Sequence, residues 1–326
     1  MPHDFSRRDA LKFTAAAVAG AFAPSAFAQS EAALKLVVTF PPGGSTDITA
    51  RIIQPQLAER IGRSVVVDNR PGAASQVGTQ FVARAAPDGN TVLVCFDTHA
   101  INPIAKKSLP YDTFKDFVGV TLAVRFPLVI GANPSVPGRT LKEFLEAAKK
   151  QPGKFSYAST GIGSMNHLVA EDLKRQSGVD ILHVPFGGGG PAVQAVLGNT
   201  VSFTLLSYAA LKGGIAGGRI KPLAVTGTRR LADLPDVPTV AESGFPGFEA
   251  YSWIGIFAPA ATPAATVKKL TDDFQAALAH AEVTKKLTDA GFEVMATDGP
   301  ALDRFARGQF DRWSDFVKRT GLKMEE

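Results

Sequence analysis

Three glycine-rich stretches carry the residues best suited to chemistry in this chain. They are Phe40-Pro41-Pro42-Gly43-Gly44-Ser45-Thr46-Asp47, then Ser159-Thr160-Gly161-Ile162-Gly163-Ser164-Met165-Asn166-His167, then Pro185-Phe186-Gly187-Gly188-Gly189-Gly190-Pro191. Each sits where a helical pattern begins. A helix start carries unpaired backbone N–H groups and about half a positive charge. Glycine lets that backbone approach a ligand closely, and serine and threonine add hydroxyl donors. The combination predicts an anion site that needs no arginine. Two or three such loops converging on a cleft would hold one carboxylate at each end. A single loop of this kind reads more readily as a tight strand-to-helix turn; three in one chain favour binding.

Catalytic patterns are missing. The phosphate-loop pattern G-x-x-x-x-G-K-[ST] needs a lysine that no glycine-rich loop supplies. Gly161-Ile162-Gly163 is followed by Asn166 where a dinucleotide fingerprint needs its third glycine. Gly43-Gly44-Ser45-Thr46 leads to Asp47, so it is no G-x-S-x-G elbow. His99, His167 and His183 stand apart, without metal-ligand spacing, and read as packing or capping residues. Cys95 is the only cysteine; it lies in an apolar run and reads as a core thiol. No catalytic residue, metal or cofactor is expected. An exported hydrolase is the enzyme alternative, but no nucleophile and base pair plainly.

The loops need elements to hold them, and strand and helix signals alternate. Leu36 to Phe40, Val65 to Val67, Thr91 to Phe96 and Leu128 to Ala132 read as strands, as do Phe155 to Ala158, Ile181 to Pro185, Val201 to Leu206 and Lys221 to Val225. Ile53, Leu57 and Ile61 recur every four residues before Gly62, predicting a helix that Pro55 kinks. Helices are expected over Val77 to Ala85, Ser164 to Gln176, Pro191 to Leu197, Val267 to Ala279, Val283 to Ala290 and about Pro300 to Thr320. Thr140 with Glu143 forms a capping box before the helix carrying Leu141, Phe144 and Leu145. Such alternation predicts parallel sheets flanked by helices, with ligands at the carboxyl ends of strands.

The 326 residues are 45% hydrophobic and 20% charged, which suits two globular domains. A formal charge of +5 is too small and too scattered for a nucleic-acid partner. Residues 1 to 28 read as an export signal. Ser6-Arg7-Arg8-Asp9-Ala10-Leu11-Lys12 is a twin-arginine pattern, an alanine-rich apolar stretch follows, and Ala26-Phe27-Ala28 is a cleavage site. The stretch is shorter than the ~20 apolar residues of a membrane span. A soluble protein of the periplasm is expected.

At the loops the sequence resembles the tripartite tricarboxylate transporter substrate-binding proteins, also called Bug proteins. FPPGGSTD (40 to 47), VVVDNRPGA (65 to 73), AAPDGNTVLV (85 to 94), INP (101 to 103), LPYDTFKDF (109 to 117), YASTGIGSMNHL (157 to 168), HVPF (183 to 186), LPDVPTVAESGFPGFE (234 to 249) and FAPAATP (257 to 263) carry the resemblance across nearly the whole mature chain. It implies an α/β, two-lobed periplasmic binding protein type II fold. Each lobe would be a mainly parallel sheet flanked by helices, with the hinge crossed twice. Lobe 1 would hold 29 to 126 and 251 to 326, and lobe 2 127 to 250.

The resemblance also implies that a small carboxylate (mono-, di- or aromatic) is clasped between the lobes. Carried over, Pro42, Gly43, Gly44, Ser45 and Thr46 hold one carboxylate. Thr160, Gly161, Ser164 and the stretch Gly187, Gly188, Gly189 and Gly190 face them, and Thr98 is a further candidate. Phe40 and Phe186 read equally as core residues or as cleft walls, and in the second case they suggest an aromatic or long aliphatic ligand. Many relatives have an aspartate where this chain has Leu206, which predicts that ligands with a free amino group are disfavoured. The GGGG run replaces a lysine-bearing stretch and predicts a roomier, less polar cleft. The implied partners are membrane permease subunits of a tripartite transporter, or a sensor, met by a monomer.

Overall fold

The computed structural model describes residues 32–324; the export signal read at residues 1 to 28 lies outside them. The first lobe opens with β1 (Leu34–Val38), α1 (Ser45–Ile61), β2 (Val65–Asn69), α2 (Gln76–Ala83), β3 (Thr91–Phe96) and α3 (Thr98–Ala105). The long β4 (Phe117–Pro127) leads into the second lobe. There follow β5 (Val129–Ala132), α4 (Leu141–Lys149), β6 (Ser156–Ser159), α5 (Met165–Ser177), β7 (Leu182–Pro185), α6 (Gly189–Leu197), β8 (Phe203–Leu206), α7 (Tyr208–Ala216) and β9 (Lys221–Val225). Then β10 (Tyr251–Pro259) returns to the first sheet, and α8 (Ala264–Ala279), α9 (Ala281–Asp289), β11 (Glu293–Val294) and α10 (Gly299–Thr320) follow.

The strands form two sheets, ordered β11-β4-β10-β3-β1-β2 and β7-β6-β8-β5-β9. Both are mixed rather than mainly parallel. β1 pairs parallel with β2 and β3, and β6 with β7 and β8. The strands next to the crossings, β4, β10, β5 and β9, pair antiparallel. The reason is topological. A helix crossover returns a strand parallel, whereas β4 passes to β5 and β9 to β10 with no helix between them.

Sequence reasoning also missed β4, β10, α3 and α7. Pro103 interrupts α3 and two glycine pairs flank or enter α7, at Gly213-Gly214 and Gly217-Gly218. Both helices persist because tertiary packing overrides weak propensity. The third glycine loop starts its helix at Gly189, two residues before Pro191. The capping box is present but displaced: the Glu143 N–H donates to Thr140 Oγ1 at 3.3 Å, while Glu143 Oε2 accepts from Arg139 N–H at 2.6 Å. Thr140→Ala is expected to cost about 1 kcal/mol, read as a lower thermal midpoint; an unchanged midpoint would rule the cap out.

The carboxyl ends of β1, β3, β6 and β8 lead into α1, α3, α5 and α7. Chemistry at these ends therefore gathers between the lobes, where open α/β sheets place their ligands.

Candidate functional site

A narrow cleft with a cavity volume of about 30 Å³ lies between the two sheets. The first lobe contributes Ser45 from the start of α1, Phe96 and Asp97 from the end of β3, Phe126 from β4 and Ser252 from β10. The second contributes Leu128, Thr160, Met165, Asn166, Leu206 and Ser207. That is about the room of one water, far below the roughly 300 Å³ of the smallest ligand pockets, so a ligand enters only when the lobes part.

The lobes touch across this cleft. Ser45 Oγ and Ser207 Oγ share a hydrogen bond of 2.6 Å. Ser207 caps α7, accepting the Ala210 N–H, so two helix starts from opposite lobes meet at this pair. The first-turn N–H groups of α1, on Ser45, Thr46 and Asp47, have no acceptor within the helix. Gly43 N–H is already taken by Asp47 Oδ2 at 3.0 Å. Burial opposes the Asp47 charge, but the Arg51 guanidinium, the Gly43 N–H and the Asn69 amide outweigh it and hold the carboxyl below its usual range.

The second loop is arranged differently from expectation: its donors are engaged within the protein. Thr160 N–H and Oγ1 both reach Asn166 Oδ1 at 3.3 Å. Gly161 N–H donates to Ser159 Oγ at 3.2 Å, and Ser164 Oγ donates to Gly161 O at 2.6 Å and also to Asn166 Oδ1. Gly163 N–H donates to His167 Nδ1 at 3.2 Å, which places the ring proton on Nε2. Ser164 N–H donates to Gly161 O at 3.1 Å, and Met165 N–H faces the Asp97 carboxylate of the other lobe and favours its charge.

Asp97 is the charged side chain among the cleft's lining residues, and sequence reasoning missed it. It is 3% exposed. Ser252 Oγ donates to its Oδ2. Burial raises its carboxyl to about 6, while Ser252 and the backbone N–H groups of Met165, Trp253 and Thr98 work the other way. A lone acid after a strand reads as an ordinary turn residue, so only its burial marks it. The expectation built on Leu206 alone is thereby weakened. Leu206 does line the cleft, but a carboxylate enters from the other side.

Of the other expected residues, Ser45 and Thr160 line the cleft. Phe40 is buried behind it, edge-on to Phe96 at 5.2 Å, so Phe96 and Phe126 supply the aromatic wall instead. Pro42 and Gly43 are exposed and Gly44 is the buried residue before α1. Thr46 is fully buried, its hydroxyl without a partner among the described residues. Thr98 Oγ1 pairs with Ser75 Oγ at 3.1 Å. Phe186 packs on the second lobe's core. Gly187 is exposed, and a Cβ on Gly188 would sit 3.1 Å from Pro41 Cδ. The space expected from the glycine run is therefore taken by Pro41 and Phe40 of the facing loop, which explains the small volume.

The family model for the tripartite tricarboxylate transporter family receptor matches residues 49–322. The chain belongs to this family. Three solved structures resemble this tripartite tricarboxylate transporter receptor over most of its length. The periplasmic binding protein BugD is 34% identical, with a TM-score of 0.86, covering 91% of this chain and 99% of that one. Rpa4515 of R. palustris, solved with adipate, is 31% identical with a TM-score of 0.88, covering 91% and 100%. MatC (Rpa3494) from Rhodopseudomonas palustris, with bound malate, is 32% identical with a TM-score of 0.82, covering 88% and 99%. The two-lobed binding-protein fold follows, and the chain is a solute receptor rather than an enzyme. Among the described residues, no helix is long and apolar enough to cross a membrane.

Proposed function

We propose that this receptor captures a small carboxylate in the interlobe cleft, in the periplasm, and delivers it to the membrane permease of a tripartite transporter. Relatives solved with adipate and malate support the ligand class, and the twin-arginine pattern supports export. The working lobes are 29 to 126 with 251 to 326, and 127 to 250. The observation that carries the reading is the Ser45–Ser207 pair, which brings the starts of α1 and α7 together from opposite lobes at a partly apolar cleft. Backbone N–H groups at both starts would grip the carboxylate, and Phe96, Phe126, Leu128 and Leu206 would cover its carbon chain. Closure excludes water and strengthens each hydrogen bond.

A thermal-shift screen of mono-, di- and aromatic carboxylates tests this. A ligand at 100 times its dissociation constant stabilises by about 2.7 kcal/mol, a rise of a few degrees in melting temperature. If no carboxylate raises the midpoint, the reading is wrong. Ser207→Ala removes one side of the interlobe pair and is expected to weaken the best ligand about fivefold by calorimetry, near the ~1 kcal/mol of a hydrogen bond. Unchanged affinity would place the grip elsewhere.

A further inference from the structure

We infer that Asp97 is a specificity-determining residue that makes this cleft select ligands with one carboxylate over those with two. The inference rests on the carboxylate reading above. It begins with α5, whose start is one of the three glycine-rich anion sites expected from sequence. That site is filled from within: Met165 N–H, at the first residue of α5, serves the Asp97 carboxylate of the opposite lobe. The donors just before it serve Asn166, Ser159 and His167. The protein's own side chain thus stands where the far carboxylate of a dicarboxylate would be held.

The starts of α1 and α7 lie together at Ser45 and Ser207 and offer one anion position, while Pro41 and Phe40 of the facing loop crowd the start of α6 at Gly188. A second carboxylate would share this narrow cleft, about 30 Å³ in the closed form, with the buried Asp97 charge. No lysine or arginine lines that space to separate the two charges. Ser252 Oγ donates to Asp97, and the backbone N–H groups of Met165, Trp253 and Thr98 also favour its charge. Charges confined together away from water repel far more strongly than in solvent, so the matched monocarboxylate is preferred by tenfold or more at neutral pH.

Calorimetry at pH 7.5 on the mature protein and on Asp97→Asn tests this, with hexanoate against adipate and benzoate against terephthalate. The wild type is expected to bind the monocarboxylate of a pair at least tenfold tighter. Asp97→Asn is expected to narrow that ratio at least fivefold. A purely structural role for Asp97 would weaken both ligands of a pair alike and leave the ratio unchanged, which overturns the assignment. The wild-type ratio stands even if the variant fails to fold: equal or tighter binding of the dicarboxylate overturns the inference by itself while leaving the carboxylate reading intact. Binding of none of the four overturns that reading, and the inference with it.

Discussion

Gly163→Ala is expected to weaken ligand binding by about 30- to 100-fold, while the receptor still folds. Gly163 precedes α5 in the second lobe, yet a Cβ there would lie 2.5 Å from the Ala105 Cβ of α3 in the first. Ala105 is a rigid methyl on a helix, buried to 2%, so the lobes must part to relieve the overlap. Overpacking of this kind costs about 1–3 kcal/mol. It falls only on the form in which the lobes meet, so it reads out as affinity. The backbone cost is separate. Gly163 has φ +79, a left-handed conformation that a side chain strains by roughly 1 kcal/mol whether or not the lobes touch. Gly178, with φ +67 and no atom within 4 Å of its Cβ position, isolates that second cost. Gly178→Ala should lower the melting temperature and leave affinity intact. Adding Ala105→Gly to Gly163→Ala should restore binding but not stability. If the double variant binds as poorly as the single one, the steric account fails.

Acid should destabilise the receptor steeply below about pH 6.5, for reasons located in two buried histidines, His99 and His167, and a half-buried third, His183. Burial drives His99 down to about 3, and neither ring nitrogen has a partner among the described residues. Its ring packs between Phe117 and Phe257, at 4.9 and 4.5 Å. Burial, helped by the Lys174 charge, lowers His167 to about 4. His183, stacked on His167 at 4.2 Å, is lowered to about 3 by burial first and its neighbour second. All three folded values lie below the unfolded value of 6.5. The unfolded chain therefore binds protons first as pH falls, and stability present above 6.5 is lost toward the folded values. Each buried ring costs about 1.4 kcal/mol per pH unit in that window. His99 and His167 together remove about 5 kcal/mol by pH 4.5.

Asp97 runs the other way. Its folded value, about 6, lies above the ordinary 3.8, so it favours the folded state as pH falls through 6. That returns about 2 kcal/mol by pH 4.5. The net loss is near 3 kcal/mol, measurable by urea titration at pH 7.5 and 4.5. His99→Leu should flatten the slope by about 1.4 kcal/mol per unit with little change at pH 7.5, because no ring hydrogen bond is lost. A slope unaffected by that substitution would show that His99 is not the group responsible.

Local signals were legible in the chain itself. Periodicity at Ile53, Leu57 and Ile61 and the glycine at 62 located α1, and Thr140 located the start of α4, because each depends on residues three or four apart. The glycine-rich helix starts marked which backbone segments could approach an anion, and ordered motifs carried the family. Charge and side-chain placement across the cleft were not legible. Asp97, Ser207 and Ser252 come from three distant segments and meet only when both sheets have formed. The second loop looked open because sequence does not show side-chain direction: Asn166 and His167 turn back onto it from within six residues, and Asp97 reaches it from the other lobe. Sequence by itself thus determined which backbone segments can bind an anion, since that is a property of glycine and a helix terminus. Only the tertiary structure decided which of them are free to do so, since hydrogen bonds made across lobes depend on packing between residues far apart in the chain.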